Sequence, residues 1–387
     1  MMKNFFKRIY SILLKIILLP CRLMPINNKR IAFIGLTGGE TYEYCDNLKY
    51  LCEYLQKQEV QGLEFIWLVS QPEKYVDVEG SNIHFYKHYT LGAFAKLLTS
   101  KVVISSGAYL PWFAFRKSQY VVDTWHGGGA YKKIENDKAG ANFLTKRRAK
   151  FLANNIDLFL SSCQKATDYL IRGAFTYQGE VLNSGLPRND FLVKGEVAIA
   201  RDKVQKYFNL ANDDKVLLYA PTYRESSEKI TFDSDALLQQ LSTTGENWRI
   251  LTHVHRYESE QASIIIKGNV ATDASHYPDI QELLCATDLL VTDYSSIIWD
   301  YSLLMRPCCL YAPDLEEYLA TTGFYVDIHK WPFPLLSSWE DLNAFVTNYN
   351  ILGIRENIRA HQDYMGSFEN GNACADVAER ILEVCKQ

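Results

Sequence analysis

At 387 residues the chain is too long for one ordinary hydrophobic core and suits two domains of fewer than about 200 residues each. A composition of 48% hydrophobic and 13% aromatic residues is that of a packed globular protein and excludes extensive disorder. Seven of the 41 Lys and Arg residues fall in the first 30 positions, which hold no Asp or Glu; the rest sets 34 basic against 45 acidic residues, so a basic arm precedes an acidic body, which points to an anionic membrane surface more than to nucleic acid.

The arm reads MMKNFFKRIYSILLKIILLPCRLMP. Lys7, Arg8 and Lys15 break its apolar runs short of the roughly 18–20 residues that span a bilayer. No small-residue cleavage site follows, as a secretory signal would require. On a helical wheel Lys3, Asn4, Lys7, Arg8, Ser11 and Lys15 share one arc, opposite Phe5, Phe6, Ile9, Ile12, Leu13, Ile16 and Ile17. The pattern predicts an amphipathic helix lying in a membrane interface through residues 3–19. A helix docked on the body is the alternative, and Pro20 and Pro25 are expected to end the element either way.

Beyond the arm, short apolar runs alternate with helix-length amphipathic stretches. Strands are expected at 30–35, 65–69, 101–105, 120–123 and 158–162, with helical patterns such as 44–57 and 91–100 between them. A second series is expected at 215–220, 248–254, 269–273, 288–293 and 307–312, after a polar, charged segment around 187–214 that reads as a hinge. This β-α rhythm implies parallel sheets covered on both faces, in two doubly wound domains. Ligands of such sheets bind beyond the strand carboxyl ends, so facing domains place a site between them. The nine cysteines are scattered apart from Cys308 and Cys309, with no C-x-x-C, which argues for reduced thiols in a cytosolic setting and against structural zinc.

Four segments at strand carboxyl ends carry candidate chemistry. In DTWHGGGAYKK (123–133), His126 follows a buried strand and is flanked by Gly127, Gly128 and Gly129, which permit close approach of a ligand; a core histidine beside a flexible turn is the bland reading. Lys132 and Lys133 behind it suit an anionic substrate or acceptor. In TDYSSIIWDYSLL (292–304), Asp293 ends a strand and Ser295 and Ser296 open a helix, either as an anion site or as ordinary caps. In YAPTYRE (219–225), Thr222 and Arg224 sit on the loop after a strand, where an arginine fork suits phosphate, or makes a plain surface ion pair. In THVHRYE (252–258), His253 and His255 alternate, so one is functional and the other packed or solvated if the segment stays extended. No third and fourth ligand accompany them, so no metal and no cofactor are expected. Together these groups suit transfer chemistry on a phosphorylated donor, with one imidazole removing a proton.

DTWHGGGAYKKI, GLPRND (185–190), APTYRE, THVHR and TDYSSIIWDYSLLMRPCCLYAPDLEEY followed by GFYVD resemble, in this order, the CDP-glycerol glycerophosphotransferase family of bacterial teichoic acid and capsule synthesis. The resemblance implies a GT-B-like pair of Rossmann-type domains, with 1–29 as the membrane helix, 30–205 as the acceptor side and 206–387 as the CDP-donor side. It implies a peripheral protein on the cytoplasmic membrane face that passes glycerol phosphate or ribitol phosphate from CDP-glycerol or CDP-ribitol to an undecaprenyl-linked glycan, releasing CMP. Residue by residue, it implies His126 as the base and His255 as a second catalytic group at the donor phosphates. Thr222, Arg224, Ser295, Ser296, Asp293 and Asp314 become donor ligands, and Lys132, Lys133 and Arg188 contact acceptor or anion. The family commonly reads W-H-G-T-P-L-K where this chain has Gly-Gly-Ala-Tyr after W-H-G, so which lysine aligns stays open. Homo-oligomer formation also stays open, as do a GT-B glycosyltransferase using a nucleotide sugar and a non-catalytic scaffold that binds nucleotide or glycan.

Overall fold

The computed structural model describes residues 16–37, 41–78, 80, 82–107, 115–137, 141–195, 197–222, 230–254 and 264–386. Most of the predicted arm helix, Arg224 and His255 therefore lie outside the described residues. A first set of strands comprises β1 (Asn27–Ile34), β2 (Glu64–Val69), β3 (Ile83–Lys87), β4 (Ser100–Ser105), β5 (Tyr120–Asp123), β6 (Leu158–Leu160) and β7 (Glu180–Leu182). They form a parallel sheet in the order β3-β2-β1-β4-β5-β6-β7. A second set comprises β8 (Lys215–Tyr219), β9 (Ile230–Asp233), β10 (Trp248–Thr252), β11 (Ile264–Lys267), β12 (Ala271–Asp273), β13 (Leu289–Thr292), β14 (Cys308–Tyr311) and β15 (Leu335–Leu336). Six of these form a parallel sheet ordered β12-β10-β8-β13-β14-β15, while β9 and β11 pair separately.

Both sheets reverse strand order once, between β1 and β4 and between β8 and β13. These are the topological switch points at which doubly wound folds open a crevice for ligands. The helices that bear on the site are α1 (Leu19–Leu23), α2 (Asp46–Lys57), α3 (Leu91–Thr99), α4 (Ile280–Ala286), α5 (Ile297–Ser302), α6 (Ile351–Met365) and α7 (Ala373–Lys386).

Strand burial explains the apolar runs. Along β1, Ile31 and Phe33 pack with Leu48 and Leu51 of α2 and Val377 and Ile381 of α7, while Ala32 and Ile34 pack with Phe94 and Leu97 of α3. Both faces are thus covered, and the strand needs no polar alternation. The final helix α7 returns to the first sheet, although it follows the whole second set of strands.

Two expectations change. The helical path breaks at Leu18, just before Pro20, but resumes at once: Pro20 occupies the first turn of α1, where its missing N–H costs no hydrogen bond, and α1 stops at Leu23, ahead of Pro25. The segment 187–214 is more than a linker: its helix Val197–Phe208 buries Ala200 and Val204 in the core shared with Leu283 and Leu284 of α4.

The two halves share that core. Ala130 and Tyr131 of the first half join Tyr294, Ile298 and Trp299 of the second. Trp299 is fully buried. An indole of this size hides on the order of 200 Å², about 5 kcal/mol of transfer free energy at roughly 25 cal/mol per Å².

Candidate functional site

His126 stands just past β5 on a backbone turn built by its neighbours. Trp125 has φ +52°, a region a non-glycine residue enters only when its surroundings hold it there. Its amide donates to Asp123 Oδ1 at 2.7 Å, and its carbonyl accepts from Thr124 Oγ1 at 2.8 Å and from buried Asn47 Nδ2 at 3.0 Å. These bonds lock the turn. The imidazole then packs on Trp125, with ring centroids 4.1 Å apart.

Gly107, at φ +80°, leaves room for both rings: a Cβ there would lie 3.0 Å from the Trp125 ring and 3.6 Å from His126 Nδ1. Nδ1 of His126 faces the Ser106 carbonyl at 3.3 Å. With Nδ1–H donating to that carbonyl, Nε2 carries the lone pair, the tautomer a general base needs. The residue is exposed to solvent on one side and walled by protein on the others. This partial loss of water pushes its pKa below the ordinary 6.5; Arg188 and Lys132 push the same way, against the pull of Asp46 and the Ser106 carbonyl.

The three glycines have separate tasks. A Cβ on Gly128 would lie 2.0 Å from the Trp299 ring, so only glycine lets the first half close onto α5. Gly129 has φ +67°. A Cβ on Gly127 would sit 3.6 Å from the Ser296 hydroxyl, which places the residue next to His126 against the second candidate segment.

That segment crosses the switch point of the second sheet. Asp293, 1% exposed, accepts from the Thr222 amide at 2.9 Å, from Thr222 Oγ1 at 2.6 Å and from the Tyr294 amide, tying the loop after β13 to the loop after β8. Asp314 accepts from the Tyr294 hydroxyl at 2.9 Å, and Tyr294 stacks on Tyr318 at 3.9 Å. Asp314 also lines a cavity of about 460 Å³ with Tyr311, Pro313 and Trp339. Ser295 and Ser296 are partly exposed at the seam. The helix they open, α5, has only six residues, so its dipole is short and the hydroxyls and loop amides matter more than the macrodipole expected from sequence. Ser296 makes no side-chain cap bond.

Other expected residues scatter. Lys132 bridges Phe324, and the Lys133 amide donates to the Gly323 carbonyl at 3.2 Å, so the lysines run beside the GFYVD segment. Of the two, Lys132 is the one whose charge acts on His126. The His253 amide extends the β8–β10 ladder by donating to the Tyr219 carbonyl at 2.9 Å. Arg188 is 6% exposed and engaged with Asp46 and Asp300.

Sequence reasoning missed Asp46, Asn47, Ser106, Gly107, Trp299, Asp300 and Glu369. Glu369 accepts from Trp299 Nε1 at 2.9 Å and from the Leu186 amide at 3.0 Å, and burial pushes its pKa up to about 7. The one signal available was Ser-Ser-Gly (105–107) at the end of β4, on the switch point. Among the described residues no group of three or more His, Cys, Asp or Glu is placed to hold a metal ion, and no helix is long and apolar enough to cross a membrane.

Two switch-point sheets meeting with an imidazole on one side and hydroxyls on the other define a bilobal α/β protein of the nucleotide-handling kind. The model of the family CDP-Glycerol:Poly(glycerophosphate) glycerophosphotransferase matches residues 18–383, and the chain belongs to that family. A teichoic acid poly(glycerol phosphate) polymerase of Bacillus spizizenii is 29% identical, over 97% of this chain and 96% of the relative. A protein of the same name from Staphylococcus epidermidis is 29% identical over 94% of this chain, which spans about half of it, 52%. A solved structure of the wall teichoic acid polymerase TagF, a histidine-to-asparagine variant with CDPG, superposes with TM-score 0.80 at 26% identity, covering 100% of this chain and 98% of that one. The UDP-GlcNAc 2-epimerase from Neisseria meningitidis shares the fold at TM-score 0.57 and 12% identity.

Proposed function

We propose that the chain transfers glycerol phosphate from CDP-glycerol to a hydroxyl of a lipid-linked glycan, releasing CMP, in teichoic acid synthesis. The observation that carries this reading is the seam itself, where the residue after His126 abuts Ser296. In the proposed reaction the acceptor hydroxyl gives its proton to His126 Nε2. Its oxygen forms a bond to the glycerol-bearing phosphorus as the bond from that phosphorus to the CMP oxygen breaks.

Ser295 and Ser296 donate to the diphosphate, while Asp293 and Asp314 hold the loops that present them, Asp293 by taking both the amide and the hydroxyl of Thr222. The family resemblance adds Arg224 and His255 as cations on the same phosphates, and Lys132 and Lys133 as anion contacts. Positioning and charge stabilisation supply most of the barrier reduction in such transfers. On this reading 30–205 forms the acceptor side and 206–387 the donor side, with α7 covering the first sheet.

The protein sits on the cytoplasmic face of the membrane in this proposal, held by the arm. Ile16, Ile17, Leu19 and Leu23 are 53–80% exposed while Leu18, 1% exposed, anchors the arm in the first core, so an apolar surface continues from the predicted interfacial helix.

Purified protein given a lipid-linked acceptor is expected to release CMP from CDP-glycerol, faster than from CDP-ribitol, and no UDP from UDP-sugars. UDP release instead would make it a glycosyltransferase. The pH profile is a second test. A base works only when neutral, and a pKa below 6.5 keeps His126 neutral into mildly acidic solution. The acid limb of kcat/KM is therefore expected below pH 6.5, and a limb above 7 would contradict the assignment.

A further inference from the structure

Arg188 lies in the GLPRND turn, where the family resemblance implies a contact with acceptor or anion, and the structure buries it between the two halves. Its Nη1 donates to the His126 carbonyl at 2.8 Å and pairs with Asp46; its Nη2 pairs with Asp300 at 2.8 Å. The Arg188 amide donates to Asn47 Oδ1 at 3.2 Å, and Asn47 in turn holds the Trp125 carbonyl. One guanidinium and one amide side chain thereby grip two successive carbonyls of the catalytic turn. Asp300 is on α5, whose first residue follows Ser296 directly. The ion pair is therefore a rigid link from the His126 backbone to the element that carries the candidate donor loop.

Stability alone does not explain this arrangement. A buried ion pair recovers little more than the cost of removing its charges from water, and well-packed apolar residues often do as well. Here the fit is also incomplete: Arg188 Nε and Asp300 Oδ1 find no partner among the described atoms. Asp46, which the guanidinium holds, has φ +59°, a second strained residue at the same junction as Trp125. Strain and unmet polar groups kept around one charge indicate a geometry maintained for the reaction.

Resting on the transfer reaction proposed above, we infer that Arg188 is a positioning residue: it fixes the reach of His126 toward the donor loop by tying the His126 carbonyl to Asp300 across the seam. Lysine keeps the charge but loses the fork, which cannot then reach three acceptors. A shift of about 1 Å at a reacting group can cost on the order of 100-fold in rate.

The test uses full-length protein and three variants, Arg188→Lys, Asp300→Asn and the double variant, each first checked for cooperative thermal unfolding. In Arg188→Lys, kcat with CDP-glycerol is expected to fall about 100-fold while the donor KM changes less than about threefold. Asp300→Asn is expected to lower kcat about tenfold, and the double variant no further than Arg188→Lys, because the two groups act as one unit. A folded Arg188→Lys with wild-type kcat, a rise in donor KM at constant kcat, or losses that multiply in the double variant would overturn the inference. Should Arg188→Lys fail to fold, Asp300→Asn decides it by the same split between kcat and KM.

An activity-independent reading separates this inference from the functional one. NMR titration of the His126 ring is expected to show a changed environment in Arg188→Lys and Asp300→Asn whether or not any CDP-polyol is turned over. An unchanged ring in both variants overturns the positioning role, whereas wild-type protein that releases no CMP overturns only the transfer reaction.

Discussion

Replacing His126 by alanine is expected to reduce CMP release from CDP-glycerol about 1,000-fold, within the range that removal of a general base produces, while thermal unfolding stays close to wild type. The ring is solvent-exposed on one side and, among the described residues, is held by the Ser106 carbonyl at Nδ1, so its loss opens no large cavity. Steady-state kinetics beside a melting curve check both parts. The backbone turn survives the substitution, because Asp123, Thr124, Asn47 and Arg188 hold it through main-chain groups. Loss of rate together with loss of folding would mean a structural histidine instead.

Gly128→Ala should be the most damaging single-methyl change in the molecule's seam. The new Cβ would lie 2.0 Å from Trp299 Cδ1, and the indole cannot swing aside without losing its bond to Glu369. Overpacking of this kind costs about 1–3 kcal/mol, and the wedge separates His126 from the donor loop, so activity is expected to fall at least about tenfold beyond the loss of stability. Gly127→Ala is the control: its Cβ meets nothing closer than 3.4 Å and its backbone is not left-handed, so it should fold normally. Melting temperatures of the pair distinguish steric wedging from a general need for flexible glycine.

The sequence pattern revealed the strands that are buried on both faces, because β1, β2, β4, β8 and β13 each contain an unbroken run of three or more apolar residues, such as IAFI in β1 and FIWLV in β2. It concealed β3, whose sequence IHFYK mixes polar and aromatic residues at a sheet edge, and β7, only three residues long with Glu180 exposed. The return of α7 to the first sheet is a contact between sequence positions far apart, and no local pattern encodes it.

The same distinction runs through the site. His126, Ser295 and Ser296 were readable because glycines and hydroxyls at strand ends mark places where backbone is exposed to a ligand. Arg188 was expected at acceptor or anion, and its carboxylate partners Asp46 and Asp300 were not legible because they lie 142 residues before and more than 100 after it. Gly128 was assigned to ligand approach, whereas it meets the protein's own tryptophan.

The most direct measurement is a crystal structure of His126→Ala with CDP-glycerol bound. The diphosphate oxygens are expected within about 3 Å of Ser295 or Ser296, with the glycerol-bearing phosphorus turned toward position 126. A nucleotide seated away from the seam, for instance in the cavity of about 540 Å³ walled by Trp331, Phe333 and His361, would contradict the account.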